Sequence, residues 1–168
     1  MPALPEVERE EIWRWIALPN REGEVDSLNR ADLRAAINAA DDWVVANSAA
    51  YNTALPQPAR GVLTAPQKAL LLSYVVRRRY LMLPSAELSE EERDNVYQEM
   101  IAKNRDAEVS SLTPAELRAA IDAADDWAVA NAASFNSALP QPARGVLTTA
   151  QKALIFNWVV RWRWLVNA

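Results

Sequence analysis

The chain has no cysteine and no histidine, and only three glycines occur among its 168 residues. Without thiols or imidazoles, the chain cannot form disulfides, thiolate nucleophiles or zinc sites built from cysteine and histidine. The most frequent general base of enzymes is missing as well. The few glycines disfavour an all-β fold, because such a fold needs many tight turns.

The composition is typical of a folded globular protein. Hydrophobic residues make up 51% of the chain and charged residues 24%, which is typical of globular rather than disordered proteins. The formal net charge of −4 does not favour nucleic-acid binding. No apolar run approaches the ~20 residues of a membrane span, and the acidic N-terminus does not resemble a signal peptide. We therefore expect synthesis in a cytoplasm and no membrane partner.

An internal duplication covers the chain. Residues 27–82 match residues 111–166 without a gap, so that residue n corresponds to residue n + 84. About two-thirds of these positions are identical, and weaker matches extend the repeat upstream. The sequence therefore predicts two tandem units, 1–84 and 85–168, packed with pseudo-twofold symmetry like the homodimer from which such a chain would descend.

Each unit is predicted to contain three helices and no strand, which makes the fold all-α. Apolar residues at spacings of three and four indicate the helices. Threonines followed three residues later by glutamine or glutamate form capping boxes that indicate helix starts. The expected ranges are 5–17, 30–54 and 65–82 in the first unit, and 89–103, 114–138 and 149–166 in the second.

The same proline-rich segment joins the second and third helices of each unit, at 55–63 and 139–147. Prolines end the second helix because they cannot continue it. We expect an ordered loop that is rigid at its prolines and turns at Gly61 and Gly145.

An Asp-Asp-Trp triplet in the second helix recurs in both units. Adjacent acids point about 100° apart on a helix, and magnesium or calcium would need more oxygen ligands than the pair supplies. We therefore read Asp42 and Asp126 as structural, with one acid of each pair bound to an arginine of the third helix and the other solvated. Trp43 and Trp127 are predicted to anchor the core, rather than to stack on a ligand.

An asparagine and an arginine that occur at corresponding positions of both copies are also predicted to be structural. Asn47 and Asn131 lie near the apolar helix face, so we expect them to hydrogen-bond a buried partner, for which the backbone of the proline-rich loop is the candidate. Arg60 and Arg144 could bind phosphate. The favoured interpretation is that each clamps a helix C-terminus or an acidic neighbour.

The end of the third helix differs between the two copies. Trp162 stands where the first copy has Arg78, and Trp158 and Trp164 stand where it has tyrosines. Conversely, Trp15 in the first copy corresponds to a glutamate in the second. Tryptophan and arginine are enriched at binding hot spots. These five residues are therefore predicted to contact a partner, which is either the other unit or a foreign protein.

The run DDWxxxNxxxxNxALPQPARGVLTxxQKAL, followed by VVRxR, resembles small helical proteins encoded among the structural genes of tailed bacteriophages and prophages. The resemblance covers the second and third helices of both copies. It implies a virion component, such as a capsid decoration, neck or tail accessory protein, made in the host cytoplasm. A duplicated unit suits a repeating lattice in which similar sites lie side by side.

Together these features predict a non-enzymatic structural protein that binds other protein subunits, forms homo-oligomers and needs neither cofactor nor metal. The alternative is a small regulatory or nucleic-acid-binding protein that uses the arginines at 77–79, 161 and 163. An enzyme is the third reading, and it would need a carboxylate site at Asp41 or Asp42 with a partner that the sequence does not identify.

Overall fold

A computed structural model describes residues 5–10, 28–82, 89–104 and 112–166. Within these ranges the chain is mostly helical and contains no strand, which confirms the all-α prediction. The helices are α1 (described over residues 6–10), α2 (Arg30–Ala54), α3 (Ala59–Val62), α4 (Ala65–Met82), α5 (Glu90–Asn104), α6 (Pro114–Ala138), α7 (Ala143–Val146) and α8 (Thr149–Val166). The long helices α2, α4, α6 and α8 begin and end at the predicted residues.

Local capping explains where the long helices begin. At the start of α6, the Thr113 hydroxyl accepts from the Glu116 N–H at 3.2 Å, and the Glu116 carboxylate accepts from the Thr113 N–H at 2.9 Å. Thr64 and Gln67 form the same reciprocal pair at α4. Such caps satisfy backbone N–H groups that have no partner inside the helix.

The segment between the second and third helices differs from the predicted loop. It contains a short helix in each copy, and its Gln-Pro peptide bond is cis in both. The Pro58 carbonyl accepts hydrogen bonds from Gly61 N–H at 2.8 Å and Val62 N–H at 3.0 Å. No glycine in the described ranges has a positive φ. The expectation that the chain turns at Gly61 and Gly145 is therefore wrong, because the proline starts a helical turn that contains the glycine.

One hydrophobic core contains residues of both copies. Helix α4 lies along α8, which is the most extensive helix pairing, and it also contacts α6. Helix α2 packs against α6 and α8 of the other copy. At the centre, the ring centroids of Trp43 and Trp127 are 5.7 Å apart. The division at 84/85 stays a prediction, because that junction lies outside the described residues.

The pairing of α4 with α8 includes a buried polar contact between corresponding positions. The Ser73 hydroxyl donates to the Asn157 side-chain oxygen at 3.0 Å. Both side chains are almost fully buried, so each depends on the other for part of its hydrogen bonding. This pair therefore fixes the relative register of the two third helices.

Arginines of the first helices attach them to the second helices. Arg9 donates to Asp41 at 2.7 Å and to Asp42 at 3.2 Å. In the second copy, Arg93 donates to Asp125 at 2.9 Å. Burial of an acid next to a guanidinium is tolerated because the ion pair replaces the lost hydration. A single guanidinium therefore bridges two adjacent acids of one helix, although their side chains diverge.

The buried acid of each pair is the first one. The side chain of Asp41 is 0% exposed and that of Asp42 is 69% exposed, and the second copy has the same arrangement at Asp125 and Asp126. Asp41 follows the buried Ile37 by four residues and so shares its face of α2. The described arginine partner comes from the first helix rather than the third. The arginine side chains at the ends of α4 and α8 lie outside the described residues.

We expect Asp41→Asn to lower the free energy of unfolding by about 3 kcal/mol, because it removes the charge that balances a largely buried guanidinium. Asp42→Asn is the matched control, and it should cost less than about 1 kcal/mol because its carboxylate is exposed. Urea titration of both variants measures the difference. Equal losses would contradict the assignment of the buried ion pair to Asp41.

Candidate functional site: two clefts beside the tryptophan pair

Two clefts flank the contact between Trp43 and Trp127. Their volumes are about 340 and 370 Å³, which lie in the range of small-molecule sites. We call them the Tyr51 cleft and the Phe135 cleft, after the aromatic residue that distinguishes them. Both are lined by Trp43, Trp127 and Phe156. The shared core thus places one cleft on each side of the same aromatic pair.

Aromatic rings form the wall between the clefts. Trp43 contacts the ring of Phe135 at a centroid distance of 5.6 Å, and Trp127 contacts that of Tyr51 at 5.3 Å. Phe156 lies 5.6 Å from Trp43. These tilted and edge-on arrangements are the favourable geometries for aromatic pairs. Trp43 and Trp127 are only 7% and 9% exposed, and therefore occupy the core position that the sequence predicts.

A lysine and an asparagine form the polar edge of each cleft. Lys68 donates to the side-chain oxygen of Asn52 and to the carbonyl of Arg60, the latter at 2.8 Å. Lys152 and Asn136 repeat this pair in the other cleft. Burial lowers the pKa of both lysines from the ordinary value, because desolvation disfavours the charged form. Each cleft therefore combines an apolar floor with one ammonium group.

Asn47 and Asn131 bond to a partner other than the predicted one. The side-chain amide of Asn47 donates to the Trp43 carbonyl at 2.9 Å, and that of Asn131 donates to the Trp127 carbonyl at the same distance. A side chain four residues along a helix reaches this carbonyl directly. The expected bond to the proline-rich loop is therefore wrong, and both asparagines instead line the clefts.

Arg60 and Arg144 hold the ends of the second helices. Arg60 donates to the Thr53 carbonyl at 3.3 Å, and Arg144 donates to the Ser137 carbonyl at 3.4 Å. Both carbonyls belong to the last turn of α2 or α6, where backbone acceptors lack helical partners. The arginines are thus placed as clamps at helix C-termini.

The side chains of the residues predicted to contact a partner lie outside the described part of the structure. Trp15 lies outside the described residues. Arg78 belongs to α4, and Trp158, Trp162 and Trp164 belong to α8, but only the backbone of these four positions is described. Their role in binding stays a prediction.

Several cleft residues are not among the predicted site residues, and they include Tyr51, Phe135, Phe156 and the lysines Lys68 and Lys152. The two lysines are conspicuous in sequence only because the repeat keeps Lys68 and Lys152 at one place in a mostly apolar run. The clefts themselves arise where α2 and α4 of one copy meet α6 and α8 of the other. Periodicity within one helix does not reveal such a contact.

Three comparisons, with protein-family models, with curated proteins and with solved structures, find no match to this chain. Across the described ranges, no group of three acidic residues is placed to hold a metal ion. The helices in those ranges are also not long and apolar enough to cross a membrane. The functional proposal therefore depends on the geometry of the chain.

We expect Tyr51 to make the protein less stable at high pH. Burial raises the pKa of Tyr51 above the ordinary value of 10.0, so above pH 10 the folded chain keeps a proton that the unfolded chain loses. The free energy of unfolding should then fall by about 1.4 kcal/mol per pH unit.

The variant Tyr51→Phe should lack this component of the alkaline slope. At pH 7 it should lose about 1 kcal/mol, because the Tyr51 hydroxyl donates to the Lys68 carbonyl at 3.0 Å. Urea titrations between pH 7 and pH 11 compare the two proteins. Identical slopes for both would overturn the attribution to Tyr51.

Proposed function

We propose that the protein is a non-enzymatic structural component of a larger assembly, in which two fused copies of one helical unit act as a pseudo-symmetric pair and bind other protein subunits. The observation that carries the proposal is the contact between corresponding residues. Trp43 meets Trp127, and Ser73 meets Asn157, and in each pair the numbers differ by 84. Two corresponding residues touch only near a twofold axis.

Contacts away from this axis are reciprocal, as twofold packing requires. Trp43 of the first copy meets Phe135 of the second at 5.6 Å, and Trp127 of the second meets Tyr51 of the first at 5.3 Å. In an isologous interface, residue i contacts j while j contacts i. These distances support a fused homodimer as the architecture.

A fused dimer presents two related surfaces in a fixed geometry. Such a molecule can join two neighbouring subunits, and the second contact is strengthened by the effective concentration that the first creates. This property suits a component of a repeating lattice. The resemblance to phage structural proteins favours a virion component, such as a capsid decoration, neck or tail accessory protein.

We assign the contact with other subunits to the tryptophan-rich end of α8 and its counterparts, namely Trp15, Arg78, Trp158, Trp162 and Trp164. At these positions one copy has tryptophan or arginine where the other has a different residue type, and a fused dimer needs such differences only where the copies have different neighbours. We expect copies of this chain to associate through this surface and to form homo-oligomers.

We expect the purified protein to form an oligomer whose mass, measured by size-exclusion chromatography with light scattering, is the same at low and high salt. An apolar tryptophan interface is insensitive to ionic screening. Trp162→Ala should leave monomers with unchanged helical circular dichroism. Val146→Ala, at an exposed apolar residue outside this surface, is the control and should leave the oligomer intact.

Loss of helical structure in Trp162→Ala would place Trp162 in the core and remove it from the interface. A wild-type monomer that also fails to bind virion proteins would contradict the assembly role. The alternative function, nucleic-acid binding by the arginines at the ends of α4 and α8, requires salt-dependent binding to DNA or RNA. Absence of binding at low salt would eliminate it.

A further inference from the structure

The two clefts are built from corresponding positions of the repeat. Every residue that lines the Phe135 cleft has a counterpart 84 positions away that lines the Tyr51 cleft. Some counterparts differ in type, as Val44 and Ala128 do, whereas the lysine and the two asparagines of each cleft are the same in both. The chain therefore carries one set of amide and ammonium groups twice, each set beside an apolar cleft.

The polar edge of each cleft has hydrogen-bond donors without a protein acceptor. Lys68 donates to the Asn52 side-chain oxygen and to the Arg60 carbonyl, which leaves one of its three N–H groups. The two amide N–H groups of Asn52 have no acceptor among the described residues. Lys152 and Asn136 repeat this arrangement. Such an edge suits a ligand group that only accepts hydrogen bonds.

The lysine of each cleft also lacks a counterion. No carboxylate of the described ranges forms an ion pair with Lys68 or Lys152. Burial lowers the pKa of both side chains, and no neighbouring negative charge opposes this effect. A carboxylate would supply the missing charge and would accept bonds from the amide N–H groups as well.

The rest of each cleft is an apolar groove between the second and third helices. In the Tyr51 cleft, Asn52 and Lys68 lie towards one end of the lining, and Val44 and Leu72 lie towards the other. Val44 and Asn52 are separated by about 12 Å along the axis of α2. Between them, the Asn47 amide donates to the Trp43 carbonyl. The groove therefore suits an extended apolar tail that leads away from the polar edge.

We propose that each cleft binds one medium-chain aliphatic carboxylate, with its carboxylate at the lysine and asparagine and its tail along the apolar groove. The ligand uses donors that the protein leaves over, so the bonds from lysine to the asparagine and to the loop carbonyl are kept. The volumes of about 340 and 370 Å³ lie in the range of small-molecule sites. This binding is additional to the assembly role and does not depend on it.

Isothermal titration calorimetry with octanoate tests the proposal, and 1-octanol is the neutral probe with the same tail. We expect two octanoates per chain, and 1-octanol at least about tenfold weaker, because it lacks the charge that pairs with lysine. Hexanoate should also be about tenfold weaker, because it buries two fewer methylene groups. Equal affinity for octanoate and 1-octanol, a single site per chain, or no binding at millimolar octanoate would overturn the proposal.

Lysine variants assign each site to its cleft. Lys68→Met and Lys152→Met each keep an apolar stem without the charge, and each should reduce the number of octanoates bound at the original affinity from two to one. The double variant should bind octanoate at least about tenfold more weakly. Arg30→Met is the control for a change in net charge, because Arg30 is exposed and lines neither cleft. Two unaltered sites in the double variant would contradict the role of the lysines.

Cleft-filling variants test the groove without changing a charge. Ala69 lines only the Tyr51 cleft, and Ala153 lines only the Phe135 cleft. Ala69→Leu should occupy part of its own groove and weaken that site several-fold, while the site in the other cleft keeps its affinity. Ala153→Leu should have the reciprocal effect, and circular dichroism verifies that both variants fold. Two sites of unchanged affinity in both folded variants would place octanoate elsewhere and overturn the proposal.

Discussion

Trp43 and Trp127 meet in the centre of the molecule, and the positions of the surrounding elements depend on this contact. The two large side chains come from corresponding places in the copies and are almost fully buried. Each ring then meets an aromatic residue of the opposite second helix. Because a buried tryptophan removes a large apolar area from water, separating the copies would expose the most apolar part of the molecule. The chain is thus stabilised between its copies more than within either one.

The two copies differ in residue type at some of the positions where they meet. The Trp43 indole N–H donates to Ser134, and the position that corresponds to Ser134 in the first copy is an alanine, Ala50. Ser73 and Asn157 are likewise different residues that complement each other at one contact. In the fused dimer that we propose, the two positions can differ, whereas in a homodimer both would carry the same side chain. Divergence between the copies can therefore adapt each side to its own neighbour.

Features determined by neighbours in sequence could be predicted, and those determined by packing could not. Capping boxes such as that of Thr113 and Glu116 involve residues three apart, so the starts of the helices were accessible to prediction. The choice of Asp41 rather than Asp42 as the buried acid depends on where α1 lies. The partner of Asn47 was mistaken because the carbonyl four residues back competes with any distant acceptor. The clefts could not be predicted, because their walls come from both copies.

The most direct test of the shared core is to produce residues 1–84 and 85–168 as separate chains and to measure their folding. In a separate half, Trp43 or Trp127 would lack the other tryptophan as a packing partner. Neither half should therefore be a folded monomer. Each half should be disordered or self-associated, and mixing them should restore a one-to-one complex with the helical circular dichroism of the whole chain. A half that is monomeric by light scattering and unfolds cooperatively by itself would contradict the account.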